Sequence, residues 1–333
     1  MDYTHFFIFL GSLVVLHYAV KLLGFIRMLC PKFFFPLPKS FLRSMGEWAV
    51  VTGGSEGIGR AYAFELASHG MNVIILSRSK DKLERTAKEI EEETGKRVKV
   101  LVADFSRDDV YREIEDNLKD LEIGVLVNNV GILPSMIPSK FLETKNLNQT
   151  MTDVINCNMR AMAEMCRICL PGMEKRGKGV IVNLSSGVAT IPCPLYSLYS
   201  ASKVFVERFS LCLQAEYSAK GIIIQTIAPF SVSTAMIGFQ KGGLSILPED
   251  FVRTSLQYLK AGGKINGSVG HTFMGWLLQS LPSGILHSEA MQEGFIAYVK
   301  KAVASERHSS VKKPQVGESF VPAANIALNK LTA

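Results

Sequence analysis

The chain has 333 residues, 47% of them hydrophobic and 20% charged, with a mean hydropathy of +0.19. That apolar content can bury a large core, which excludes a wholly disordered chain, and it is too low for a protein that crosses a membrane many times. The net charge of +7 sits on the ends: residues 1–46 hold five bases and one acid, residues 300–333 six bases and two acids, and the centre 26 bases and 27 acids. A nucleic-acid binder concentrates its bases on the folded domain, so no nucleic-acid partner is expected here, and an anionic membrane surface is expected instead.

The first element is the apolar run Phe6–Ile26. Its 21 residues would span about 31 Å as a helix, close to the hydrocarbon thickness of a bilayer. His17 and Lys21 interrupt it, and Lys21 is near enough to one end to snorkel to the headgroups. The first five residues carry no base and no A-x-A site follows, which fits an anchor rather than a cleaved signal peptide. Arg27, Lys32, Lys39 and Arg43 follow, so the positive-inside tendency puts the rest of the chain in the cytoplasm. A helix lying in the membrane interface is the other reading. Residues 31–46, with Pro31, Pro36 and Pro38, read as a linker.

Strand and helix then alternate. Short apolar runs at Ala49–Thr52, Val73–Leu76, Val98–Ala103, Val125–Asn128, Val180–Leu184 and Ile222–Ile227 read as strands. Ile58–His69, Lys80–Glu93, Asp108–Leu118, about 148–175 and Ser200–Tyr217 read as helices. This alternation predicts an α/β fold: a Rossmann-type doubly wound parallel sheet in one domain, behind an N-terminal membrane anchor. The division is 1–30 anchor, 31–46 linker, 47–304 catalytic domain and 305–333 flexible polar tail. Of the six cysteines, Cys166 and Cys169 have CxxC spacing, but no second pair or nearby His completes a metal site, so no metal is expected. Buried reduced thiols and a reducing compartment follow. Asn148, Asn183 and Asn266 head glycosylation sequons that a cytoplasmic domain would not use. His271 and His287 flank the apolar stretch Phe273–Leu286; one could polarise a substrate, and surface or packing roles are the favoured reading.

The turn Thr52-Gly53-Gly54-Ser55-Glu56-Gly57-Ile58-Gly59 joins the first strand to the first helix. Its glycines permit a tight turn and a close approach to a pyrophosphate, and the helix start offers free N–H groups. Without Gly-Lys-Ser/Thr it is not a P-loop. The second strand ends in Ser77-Arg78 where an NAD-binding chain carries an acid. Arg78 can pair with the 2′-phosphate of NADP, and Ser77 can add a hydrogen bond. Tyr199 and Lys203, four apart, share one helix face. An ammonium beside a phenol lowers its pKa toward the working range. Ser186 ends the preceding strand, thirteen residues before Tyr199, and can hold a carbonyl or an alcohol.

With these motifs, and Asp104-Phe105, Asn128-Asn129-Val130-Gly131 and Asn158, the chain over about 47–235 resembles the short-chain dehydrogenase/reductase family. The resemblance implies a catalytic set of Asn158, Ser186, Tyr199 and Lys203, with Asn158 supporting a proton-relay water and Lys203 also holding the nicotinamide ribose. It implies NADP(H) contacts from Gly53, Ser55, Glu56, Gly57, Ile58, Gly59, Ser77, Arg78, Asp104, Asn129, Gly131, Tyr199, Lys203, Pro229, Val232 and Thr234. The family's Pro-Gly is Pro229-Phe230 here, which changes the local loop. The anchor, the stretch Leu37–Gly46, Leu121–Gly124 and Pro194–Ser197 resemble a membrane-bound branch that reduces 17-ketosteroids or long-chain 3-oxoacyl-CoA. A steroid or other lipid ketone, the endoplasmic reticulum membrane and a homodimer are the partners this branch implies. A non-catalytic nucleotide- or lipid-binding scaffold and a lipid-alcohol oxidase are the competing readings. The apolar stretches Ala235–Phe239 and Phe273–Leu286 are expected to close over the ketone, with Gly242-Gly243 and Gly262-Gly263 as joints.

Overall fold

The computed structural model describes residues 3–29, 31–38, 40–237 and 245–311. Among them, seven parallel strands form one sheet: β1 Trp48–Thr52, β2 Asn72–Ser77, β3 Val98–Val102, β4 Ile123–Asn128, β5 Gly179–Leu184, β6 Ile222–Ile227 and β7 Lys264–Ile265. Their order is β3-β2-β1-β4-β5-β6-β7. The chain runs outward from β1 through β2 to β3, then returns to β4 and proceeds the other way. The reversal between β1 and β4 opens a crevice at the carboxyl ends of the strands, where such sheets bind ligands.

The strands read as unbroken apolar runs because helices cover both faces. Alternate side chains enter opposite cores. Val51, Ile75 and Val127 pack with Tyr62 and Leu66 of the helix Gly57–Ser68 on one face. Val50, Ile74 and Leu126 pack with Met165, Cys166 and Cys169 of the helix Ala161–Arg176 on the other. Burial pushes the Cys166 thiol up to about 12 and raises Cys169 further, so both are inert packing groups. Asn183 of the second sequon is fully buried, accepting from Asn128 (2.8 Å) and donating to Ser210 (2.8 Å).

The expected helix over 148–175 is in fact two α-helices, Leu147–Ile155 and Ala161–Arg176, joined by one π-helical turn, Asn156–Arg160. Periodicity cannot reveal that insertion, because the apolar pattern continues through it. The turn places Asn158 inward, 2% exposed. Residues 31–46, expected as a linker, carry short helices at Pro31–Phe34 and Phe41–Met45, and Leu42 is buried in the first core. Gly46 and Gly124 lie back to back, each where a Cβ on the other would meet backbone. The final helix, Glu289–Val311, runs past residue 305; the remainder of the expected tail, 312–333, lies outside the described residues.

The helix Tyr3–Leu29 has the length and hydropathy to cross a membrane, and none of its most apolar window is buried against the protein. Its inner end is fixed to the domain: the Tyr258 hydroxyl donates to the Met28 carbonyl (2.6 Å), and Met28 packs on the first core.

Candidate active site

A cleft of about 770 Å³ occupies the crevice at the carboxyl ends of the strands. All the residues singled out for cofactor or catalysis line it except Gly59 and Asn158, which support it from behind.

At the nucleotide end, Gly53 and Gly57 have φ of +66° and +59°, conformations that L side chains rarely adopt. A Cβ at Gly59 would overlap the Gly53 carbonyl oxygen. No side chain caps the helix Gly57–Ser68, so its first N–H groups face the cleft. The Asn129 amide donates to the carbonyls of Thr52 and Gly53 (3.1 and 3.2 Å) and braces the turn. Arg78 is exposed at the cleft edge and, among the described residues, is in no ion pair, while Ser77 beneath it is buried and accepts from the Ser79 N–H (3.4 Å). Lys82 lines the same edge and pairs with Glu56 (2.8 Å). It is a second cation that the motif reading missed, since it lies inside a helix crowded with charge. Asp104 accepts from Ser106, through the backbone (3.1 Å) and the hydroxyl (2.9 Å), which fixes the loop after β3.

At the catalytic end, the helix Ser197–Tyr217 presents Tyr199 and Lys203, both buried, toward Ser186 at the end of β5. Ser186 faces the Tyr199 hydroxyl closely enough to oppose the rise of its pKa. Lys203 donates to the Leu184 carbonyl (2.9 Å), with Nζ 5.7 Å from the centre of the Tyr199 ring. Gly131 leaves room for this lysine and for Asn158. The Asn158 side chain accepts from the Ile132 N–H (2.8 Å) and donates to the Ile132 carbonyl (3.1 Å) and to Ser202 (3.0 Å). Its amide thus clamps the loop after β4 to the catalytic helix.

The electrostatics correct one expectation. Lys203 was expected to lower the Tyr199 pKa, yet burial pushes it up to about 12, and Ser186 only partly opposes this. Burial likewise lowers Lys203 to about 8. Desolvation penalises both charged forms, phenolate and ammonium, and it is the largest cause at each. Tyr199 is therefore held as a protonated phenol, poised to give a proton.

Tyr196, the other tyrosine of this stretch, is turned elsewhere. Its hydroxyl donates to the Met136 carbonyl (3.0 Å), and its ring packs edge-on to Tyr199 and to Phe295. Leu195 before it takes φ +70°, strained backbone for a branched residue beside a reactive centre. Phe230, in place of the usual glycine, fills the space that Gly187 leaves empty and stacks edge-on to the buried His271, whose Nδ1 accepts its N–H (3.4 Å). His271 thus packs beneath Phe230 and also lines the cleft.

The apolar wall follows the expectation in part. Ala235, Met236, Met274 and Leu278 line the cleft. Trp276 is 59% exposed on the outside of its helix. Phe239, Gly242 and Gly243 lie outside the described residues. Gly262-Gly263 precede β7 at the opposite end of the sheet, so they cannot hinge this cleft. Phe295, Tyr298, Val299 and Val303 of the final helix complete the wall. Their spacing of three, four and eight is a helical stripe that the sequence reading did not pursue.

The profile of the short chain dehydrogenase family matches residues 47–241. The chain belongs to the short-chain dehydrogenase/reductase family. It is accordingly an oxidoreductase. A 17-beta-hydroxysteroid dehydrogenase type 3 from Danio rerio is 57% identical over 295 residues, covering 88% of this chain and 96% of that protein. The Homo sapiens protein of the same name is 46% identical over 300 residues, covering 89% and 96%. A very-long-chain 3-oxoacyl-CoA reductase from Anas platyrhynchos is 46% identical over 250 residues, covering 74% and 80%. Among solved structures, a 7beta-hydroxysteroid dehydrogenase shares the fold at a TM-score of 0.67 and 22% identity, covering 78% of this chain and 99% of its own.

Proposed function

We propose that the protein reduces a 17-ketosteroid to its 17β-alcohol with NADPH, as an enzyme of the endoplasmic reticulum membrane whose catalytic domain faces the cytoplasm. The observation that carries this is that Ser186, Tyr199 and Lys203 line one cleft together with the glycine turn and Arg78.

The turn fits a dinucleotide. Glycines 53, 57 and 59 form a cradle that added Cβ atoms would obstruct or strain, and the uncapped helix start suits a pyrophosphate. Arg78, with Lys82 beside it, suits a 2′-phosphate, which supports NADP(H) over NAD(H). When bound, NADPH supplies the hydride for the carbonyl carbon. The residues of the chain do the rest. Ser186 and Tyr199 hold the carbonyl oxygen between two hydroxyls, and Tyr199 gives it a proton as negative charge develops there. Lys203, carrying charge below about pH 8, adds a positive field behind the phenol. Asn158 keeps the loop after β4 against the catalytic helix, so the constellation is preorganised.

The apolar wall suits a steroid, which offers few polar handles and gains affinity by burying area, about 25 cal/mol per Å². The 46–57% identity to 17-beta-hydroxysteroid dehydrogenases type 3 over nearly their whole length supports a steroid over an acyl thioester. The test is steady-state reduction of androstenedione and of a long-chain 3-oxoacyl-CoA by the purified full-length protein. A kcat/KM at least about ten-fold higher for androstenedione is expected. The reverse order would reassign the substrate, and no reduction of either ketone would reject the reading.

A further inference from the structure

The anchor does more than tether the domain, because it leaves the domain at one particular end. The Tyr258–Met28 hydrogen bond and the packing of Met28 hold the inner end of the helix against the segment preceding β7. In a parallel sheet all such segments lie at one end. Gly46 before β1, Lys178 before β5, Lys220 before β6 and Lys260 before β7 therefore share that end with the exit of the anchor.

Its chemistry is distinctive. Arg43, Lys178 and Lys260 are in no ion pair among the described residues. Lys178 donates to the Ser44 carbonyl (2.9 Å), and Lys260 lies over the Phe41 ring (4.4 Å). Arg27, at the exit itself, lies over Phe35 (5.0 Å), and Phe33 beside it is 80% exposed. The acids Glu47, Glu122 and Glu174 are matched by Arg97, Arg176 and Lys220. Among the described residues of this end, Glu91, Glu93, Asp120 and Glu216 are in no ion pair, against Arg43, Lys96, Lys99, Lys175, Lys178 and Lys260. Of these cations, Arg43 belongs to the short helix next to the anchor, and Lys178 and Lys260 touch Ser44 and Phe41 of the same segment.

We propose that this end of the domain lies flat on the bilayer and that Arg43, Lys178 and Lys260 contact anionic lipid headgroups, with Phe33 in the interface. Continuity with the anchor identifies the occupant: a surface bonded to the last turn of a membrane helix is within reach of the headgroups. Charge complementarity and the exposed aromatic ring agree with it. The cleft then opens at the other end, about 20 Å away across six-residue strands. Substrate and cofactor enter from the aqueous side, and the exposed Phe273 and Trp276 near the cleft do not touch this membrane.

The proposal rests on the anchoring of the chain but not on its substrate, so its test needs no turnover. The full-length protein is placed in bilayer discs of phosphatidylcholine, or of phosphatidylcholine with about one third phosphatidylserine. Lysines are acetylated with a water-soluble reagent and quantified by mass spectrometry. Labelling of Lys178 and Lys260, relative to Lys82 and Lys300 beside the cleft, should fall about five-fold further in the anionic discs than in the neutral ones. Equal labelling ratios in the two discs would overturn the headgroup contact. Protection of Lys300 and Lys82 instead would overturn the orientation and place the mouth of the cleft on the bilayer.

Discussion

Tyr199 and Lys203 show how far a spacing can be read. Their separation by four on one helix, with Ser186 thirteen residues upstream, identified the three side chains that the structure brings together. What the spacing could not show is burial, which keeps Tyr199 a phenol with a pKa near 12 and brings Lys203 down to about 8. Tyr199→Phe retains the ring and removes the proton. Turnover should fall by at least about 10³-fold, within the range for loss of acid catalysis, while NADPH affinity measured by fluorescence stays within two-fold. The lysine charge is present below its pKa and lost above it. The kcat/KM for reduction should therefore be level below about pH 8 and decline above it; a profile flat to pH 10 would remove Lys203 from the field acting on Tyr199. Arg78→Gln should weaken NADPH binding by roughly 1.5–3 kcal/mol, about one to two decades, and leave NADH nearly unchanged. Equal losses for both cofactors, read by calorimetry, would make Arg78 structural.

At the scale of elements, the strands and the glycine turn were legible because their signals are local. Apolar runs bounded by turns specify buried strands, and the closeness of Gly59 to Gly53 leaves no choice of residue. Gly59→Ala should cost about 1–3 kcal/mol of stability through overpacking, seen as a lower Tm, and should weaken NADPH binding as the turn is pushed open. The π-helical turn at Asn156–Arg160 was not legible, because one extra backbone residue leaves the side-chain pattern nearly intact. The final helix was missed for a different reason: its apolar stripe sits in a segment rich in polar residues. Its Phe295 meets Tyr196, whose ring lines the cleft next to Tyr199. Tyr196→Ala should raise the KM for a steroid ketone about ten-fold by removing apolar contact, with a smaller change in kcat. Tyr196→Phe, which keeps the ring, should restore most of it. A loss confined to kcat would place Tyr196 in the chemistry instead.

The whole molecule separates its tasks along the strand direction. The reversal of strand order opens the cleft at one end, and the anchor leaves from the other. The sheet and its crevice could be inferred from the alternation of elements, whereas the end from which the anchor departs depends on one tertiary contact, Tyr258 to Met28, between residues 230 apart in sequence. If the helix spans the membrane with the basic residues inside, protease added to intact microsomes should digest the catalytic domain, and full protection would reverse the topology. The central claim is that one cleft joins NADPH to a ketone through Tyr199. It is tested most directly by supplying full-length protein with androstenedione and NADPH deuterated at the transferable position of its nicotinamide, then locating the label by mass spectrometry. The account predicts deuterium on carbon 17 of the alcohol product with the wild-type chain and none above background with Tyr199→Phe. NADPH that binds tightly but passes no deuterium to any ketone would contradict it.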